Sequence, residues 1–408
     1  GIHSGWFDCE TDTLETGAPD DPWYFTFQGS KDVLGEQGFN GGQGFPAILA
    51  FGPASNWPPG SRPSSFCGLS RGTDPPGNSA YNVKWQTYLG ALDAYISDPA
   101  YDYSGSAYAH IVNEPQTFED YDVVAYLARM YKAAAPNLRL LLSEQVEVHV
   151  YDNPTYGPAK IDVWMPTISN YEPVKSHDRQ KDHGEEVWWY YLYGDDPPLP
   201  NPILMSHPGI EARMTPWLAW AERVDGLLHY SATEWSPNPW NSPNVTGKGN
   251  GDGFFFYPPR KDGGNLDHCG QNGNRLVPSI RWENLRDGME DYEYLWLLAG
   301  GDPEAPAVDM TNEADAYVAQ LVQSRTLYSH VPTDLAETRV AIAQVLGGPS
   351  ARKSASPTGV APGGNLAYTL AYTHSGEDAT LVATDIVPDM TPVITATGPG
   401  TVEVDGQA

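Results

Sequence analysis

Positive charge is scarce in this chain of 408 residues: 23 lysines and arginines stand against 52 aspartates and glutamates, a formal net charge of −29. A surface of that sign repels phosphate backbones, so nucleic acid is not expected as a partner. Long apolar runs are missing too. No stretch approaches the ~20 apolar residues of a transmembrane helix, so no membrane span is expected. Cysteine is reduced to Cys9, Cys67 and Cys269, with no CxxC pair. That argues against zinc and leaves room for one disulfide, Cys9–Cys67 or Cys67–Cys269, and one free thiol. HExxH, GxGxxG, GxxxxGK[ST] and GxSxG are all absent. Metalloprotease, nucleotide-binding and common esterase chemistry therefore find no support, and neither a metal nor a cofactor is expected. Gly1 is preceded by no initiator methionine and begins no signal peptide, which reads as a processed or truncated piece of a longer protein.

What the chain does contain is a globular share of hydrophobic residues, 40%, and many rings, with 13 tryptophans and 24 tyrosines. Flat apolar ring faces suit the C–H face of a sugar, and Tyr and Trp add a polar handle. The sequence alternates two kinds of segment. Apolar runs at residues 45–51, 107–112, 138–143, 161–166, 187–193, 226–232 and 253–257 read as buried strands. Residues 83–96, 121–135 and 210–223 carry apolar side chains at helical spacing, a long helix follows at 279–298, and two more follow near 314–324 and 335–346. Nearly continuous apolar strands between helices predict a parallel sheet covered on both faces. A doubly wound sheet satisfies the same rule. Carboxylates and aromatics crowd just past the strand ends, however, which is where a barrel keeps its chemistry. The expected fold is α/β, a TIM-like (β/α)8 barrel over residues 1–346. A Gly/Pro/Ser/Ala linker follows at 347–364, and residues 365–408 alternate like part of an all-β, Ig-like sandwich module.

Glu114 leads the candidates for chemistry. It follows the strand at 107–112 in Asn113-Glu114-Pro115, where a carboxyl at the rim, partly desolvated, can hold a proton and act as general acid. Cleavage of a glycosidic bond needs such an acid, because the leaving oxygen departs poorly unprotonated. Asn113 beside it can hydrogen-bond a substrate hydroxyl or acetamide, or simply make the turn. Glu234, after the strand at 226–232, is the second carboxylate candidate, and Glu144 is placed similarly after 138–143. Carboxyls about 5 Å apart serve retention by double displacement, and a wider gap serves inversion. Of the aromatic run at 187–193, Trp189 and Tyr191 are candidate substrate contacts. Trp235 and Trp240, in a loop, are stronger stacking candidates, and His229 and Tyr171 complete the set. His110, inside a strand, reads as a core histidine.

The run Arg286-Asp287-Gly288-Met289-Glu290-Asp291-Tyr292-Glu293-Tyr294-Leu295, with the preceding Pro278-Ser279-Ile280-Arg281-Trp282-Glu283, resembles the helix closing the catalytic domain of glycoside hydrolase family 123, also known as domain of unknown function 4091. Gly251 to Pro258, Val187-Trp188-Trp189-Tyr190 and the Asn238-Pro239-Trp240 turn resemble that family as well. The resemblance spans roughly residues 40–346. It implies a (β/α)8 barrel that hydrolyses β-linked N-acetylgalactosaminides by substrate assistance, with Glu114 as acid/base and its neighbour, Asn113, holding the acetamide. The family carries an acidic residue where this chain has Asn113. Two alternatives follow from the residues: a two-carboxylate retaining glycosidase with Glu234 as nucleophile, and a non-catalytic carbohydrate-binding barrel. Arg281, Glu283, Arg286, Asp287 and Glu290 read as a buried ion-pair network fixing the closing helix. The expected partner is an oligosaccharide or glycan. The final β stretch resembles modules of bacterial surface proteins, which implies a secreted or cell-surface location.

Overall fold

The computed structural model describes residues 7–14, 47–50, 62–72, 79–99, 107–235, 238–259, 276–302, 305–347, 350–356 and 367–373. By its contacts the chain divides into two units, Gly1–Leu346 and Gly347–Ala408.

The first unit is built on one parallel sheet. Its strands are β1 (Ala47–Ala50), β2 (Ala107–Asn113), β3 (Arg139–Ser143), β4 (Val163–Trp164), β5 (Glu186–Tyr190) and β6 (Gly226–Leu228). They lie side by side in chain order, every neighbouring pair parallel. Helices between them include α1 (Ser79–Ile96), α2 (Phe118–Ala134), α3 (Val148–Tyr151), α4 (Pro173–His183) and α5 (Ile210–Glu222). Each new strand joins the same edge, so the winding never reverses as it would in a doubly wound sheet.

Side chains alternate between two environments. Ala109, Ile111, Leu140, Leu142, Trp164, Val187 and Trp189 face the helices and join the main core. Tyr108, Leu141, Val163 and Trp188 form a separate cluster on the other face, with Tyr190 and Leu228 against it. Tyr108 on β2 and Trp188 on β5 meet edge to face, with centroids 5.2 Å apart. Three strand spacings of about 4.8 Å separate β2 from β5. Their rings meet across that span because the sheet curls and this second face is its concave interior. Arg139 ties the layer below, pairing with Glu186 at 2.6 Å and donating to the Tyr108 hydroxyl at 2.6 Å. Gly226, opposite Trp188 in register, leaves the room: a Cβ there would stand 2.6 Å from the indole.

The curl does not close into the expected eight-stranded barrel. Among the described residues six strands make an open arc. The run at 253–257 adds no seventh parallel strand. Its end, Phe256–Tyr257, pairs antiparallel with Val277–Pro278, and Phe254 bridges Thr233 in the antiparallel sense. The carbonyls of Gly251 and Phe254 are taken instead by the buried guanidinium of Arg281. A short hairpin, Phe7–Asp8 with Thr13–Leu14, is tied by the disulfide Cys9–Cys67 to another, Ser65–Phe66 with Leu69–Ser70. Cys269 lies outside the described residues.

The closing helix α6 (Ile280–Leu298) packs along α5, and α7 (Glu313–Leu321) and α8 (Pro332–Val345) follow. Its buried hub is Asp291, fully enclosed, which accepts from Arg213 at 2.8 and 3.0 Å and from Trp217, and pairs with Arg339 at 3.2 Å. The network expected around Arg286 exists, with Glu283, Asp287 and Glu290 as partners, but it lies in solvent. In the second unit the described residues form one antiparallel pair, Ser350–Ser356 with Ala367–Thr373. The first of these strands falls within the expected linker, and no Ig-like sandwich is seen among the described residues.

Candidate active site

Glu114 is the first residue past β2, at the C-terminal rim of the arc. A shift of register between His110 and Asn113 turns Asn113 toward Ser143 of β3. The Ser143 hydroxyl is the local hub. It accepts the backbone N–H of Glu114 at 2.9 Å, donates to Asn113 Oδ1 at 3.1 Å, and lies 3.0 Å from His110 Nε2. Burial pushes the His110 imidazole down to about 4, so at neutral pH it is uncharged, and its Nε2 shares a hydrogen bond with the serine hydroxyl. On the far side Asp120 accepts from the backbone N–H groups of Gln116 and Thr117, both at 2.8 Å, and closes a capping box with Thr117 at the start of α2. Held between these two clamps, Glu114 takes a left-handed backbone, φ +47°, rare for a residue with a Cβ. Its side chain reaches across the arc, and Tyr190, the last residue of β5, donates to Glu114 Oε1 at 2.6 Å. Burial, with the carboxylate beside it, raises the Tyr190 phenol well above its ordinary range, so it keeps its proton and donates the hydrogen bond.

Glu114 itself is exposed to solvent, not partly buried as its sequence position suggests. The buried carboxyl of this rim is Glu144, the first residue past β3, with 7% of its surface exposed. Burial is the main reason its carboxyl is pushed up to about 7; the charges of Glu147 and Glu114 add to the rise, and the Gln145 backbone N–H, at 3.1 Å, opposes it.

Glu234 belongs to a different cluster. It lies beside Tyr230, whose hydroxyl donates to buried Asp252 at 3.2 Å, and Thr246 donates to the same carboxylate at 2.7 Å. No hydrogen bond among the described residues joins this cluster to Glu114. His229 sits behind it between the rings of Tyr230 and Phe255, and burial lowers its imidazole to about 4. Trp235 and Trp240 are anchored by their indole N–H groups to the carbonyls of Phe256 and Pro258, and Trp240 stacks on Tyr257 at 4.3 Å. Trp189, Tyr191 and Tyr171 are all but fully buried on the helix side of the sheet. Tyr171 packs on Trp189 and donates to the Glu222 carbonyl at 2.7 Å.

Sequence reasoning passed over Tyr190 and Ser143. The signal was the strand's polar phase. Arg139, Ser143 and Glu186 cannot face the apolar helix layer, so residues in step with them (Leu141, Trp188 and Tyr190) must point inward.

Compared with known proteins, residues 69–298 match the model of the glycoside hydrolase 123 catalytic domain. A solved structure that the chain resembles is a family 123 glycoside hydrolase from Clostridium perfringens, described for glycolipid glycan hydrolysis. The two are 14% identical, with a TM-score of 0.41, and the similarity covers 67% of this chain and 45% of that one. The chain thus spans less than half the length of that protein. No curated protein matches the sequence.

Proposed function

The chain belongs to glycoside hydrolase family 123, and from that premise we propose that it cleaves β-linked N-acetylgalactosaminides with retention, using Glu114 as acid and base. The observation that carries this reading is the setting of Glu114. It is an accessible carboxylate at the C-terminal rim of a curled parallel sheet, aimed by a serine-held backbone and a tyrosine hydroxyl.

In the first step the acetamido oxygen of the substrate attacks the anomeric carbon. Glu114 gives its proton to the glycosidic oxygen as the bond to the leaving group breaks, and a cyclic oxazolinium remains. Tyr190 then steadies the carboxylate that Glu114 has become. In the second step Glu114 takes a proton from water, whose oxygen attacks the same carbon and reopens the ring. Asn113, its Oδ1 engaged by Ser143, has its amide N–H groups left for the substrate. Trp235 and Trp240 suit contacts to the rest of a glycan. The disulfide supports export to the cell surface or beyond.

The test is hydrolysis of a chromogenic β-N-acetylgalactosaminide by the parent and by Glu114→Gln. Turnover by the parent with a loss of about 100-fold or more in the variant is the expected result. Equal rates would remove Glu114 from the mechanism, and an inert parent would point to another sugar or to binding without cleavage.

A further inference from the structure

Glu114 stands on a ridge of exposed residues that runs into the start of α2. There Phe118, the first residue of α2, has 67% of its surface in solvent. A single exposed ring is ordinary. This one is not single. His149 of α3 lies against it, with ring centroids 4.6 Å apart and planes tilted by 34°. Tyr121, nearly buried, stands beside both, at 6.4 Å from Phe118 and 6.3 Å from His149. The imidazole is held from α2: its Nε2 lies 3.1 Å from Asp122 Oδ1, and Asn153 and Thr155 donate to the same carboxylate at 2.8 and 2.9 Å. The capping box of Thr117 and Asp120 fixes the backbone at Phe118. The segments past two neighbouring strands, β2 and β3, thus present one preset aromatic surface on the rim that carries Glu114.

Size and charge say what covers it. Phe118 follows Glu114 by four residues, a backbone span of at most about 14 Å, within reach of a short glycan held at the acid. Two rings offer far less than the ~800 Å² per partner of a stable protein interface. Carboxylates flank them: Glu119 is next in the chain, and Asp122 and Glu147 both bond His149. That charge repels anionic ligands and suits a neutral sugar, whose C–H face meets a ring and whose hydroxyls donate to carboxylates. Tyr190 meets Glu114 across the concave interior of the arc, whereas α2 and α3 pack in the helix layer outside it. Resting on the acid role of Glu114, we propose that Phe118 and His149 form the subsite for the first sugar beyond the cleaved bond, a neutral pyranose stacked on the Phe118 ring. The reacting sugar occupies the concave side, and the oxygen that takes the proton of Glu114 carries the leaving sugar outward over the start of α2. Trp235 and Trp240 stand past β6, at the far edge of the sheet, and take no part in this contact.

Two measurements decide this. The first compares N-acetylgalactosamine β-linked to galactose with the β-azide of N-acetylgalactosamine, whose leaving group is too small to reach the rings. The ratio of kcat/KM on the disaccharide to kcat/KM on the azide should fall about tenfold in Phe118→Ala and recover in Phe118→Trp. A ratio that Phe118→Ala leaves unchanged overturns the subsite. The second needs no cleavage: the disaccharide is added to Glu114→Gln and its galactose C–H protons are followed by NMR. Stacking on a ring moves them upfield, and adding Phe118→Ala to that variant should abolish the movement. Protons that stay in place, or that move equally without Phe118, overturn the subsite. Movement that needs Phe118, in a protein whose parent cleaves neither compound, upholds the subsite and refutes the proposed hydrolysis instead.

Discussion

Buried titratable groups at the arc, Glu144, His110 and His229 among them, shape its response to pH. Glu144 holds its proton more tightly folded than unfolded, with a carboxyl raised from 4.5 to about 7. Its contribution to stability is therefore complete below pH 4.5 and drains away as the pH rises through 7. His110 and His229 behave in the opposite way. Their imidazoles are lowered from 6.5 to about 4, so their contribution is present above pH 6.5 and lost as the pH falls toward 4. Chemical denaturation at pH 4 and pH 8 separates the two trends. Glu144→Gln should gain on the parent between those values by on the order of 3 kcal/mol, and a constant difference would show that Glu144 does not titrate in that range. Position and type of the lead carboxylate were legible in the sequence, because a polar residue ending an apolar strand stands out. Its exposure and its partners were not: Ser143 and Tyr190 meet it only through the sheet's register and curl.

Among the elements, α5 and α6 make the tightest joint. Gly288 of α6 lies against the backbone of α5, and a Cβ there would stand 2.4 Å from the Arg213 carbonyl oxygen. Backbone cannot yield as a flexible side chain does, so Gly288→Ala should cost roughly 2–3 kcal/mol. Asp291→Ala should cost about 3–5 kcal/mol by leaving Arg213 and Arg339 without their shared partner. Thermal unfolding checks both, with exposed Met289→Ala as the variant expected to change little. The motif Arg286 to Leu295, which carried the family resemblance, is thus a packing motif, and its conspicuous charges mislead. Arg286 spends its charge in solvent, and Asp291, one acid among many in the sequence, is the buried one. Elements were largely readable: strands ending near 113, 143 and 190 and helices at 118–134 and 210–222 fall close to their expected places. Closure was not readable, because an apolar run such as 253–257 looks the same whether it joins a parallel neighbour or has its carbonyls satisfied by Arg281.

At the scale of the whole molecule the chain carries a net charge of −29 over 408 residues. Self-repulsion of that size opposes the compact state, and salt screens it over a Debye length of about 10 Å at 0.1 M. Raising the sodium chloride concentration from about 0.02 to about 0.5 M should therefore raise the melting temperature by several degrees. A fall would mean that attractive pairs such as Arg213–Asp291 outweigh the repulsion. The disulfide works on the other side of the balance. It links positions 58 residues apart and restricts the unfolded chain, an effect of about 4 kcal/mol on the chain-entropy account.

The left-handed backbone at Glu114 also bears on descent. Glycine, asparagine and aspartate accept that conformation with the least strain, whereas alanine, serine or valine would keep the strain and lose the acid. A lineage that abandons hydrolysis but retains the arc to hold glycans is free to relax there, and glycine, asparagine or aspartate at this position is the trace such a history would leave.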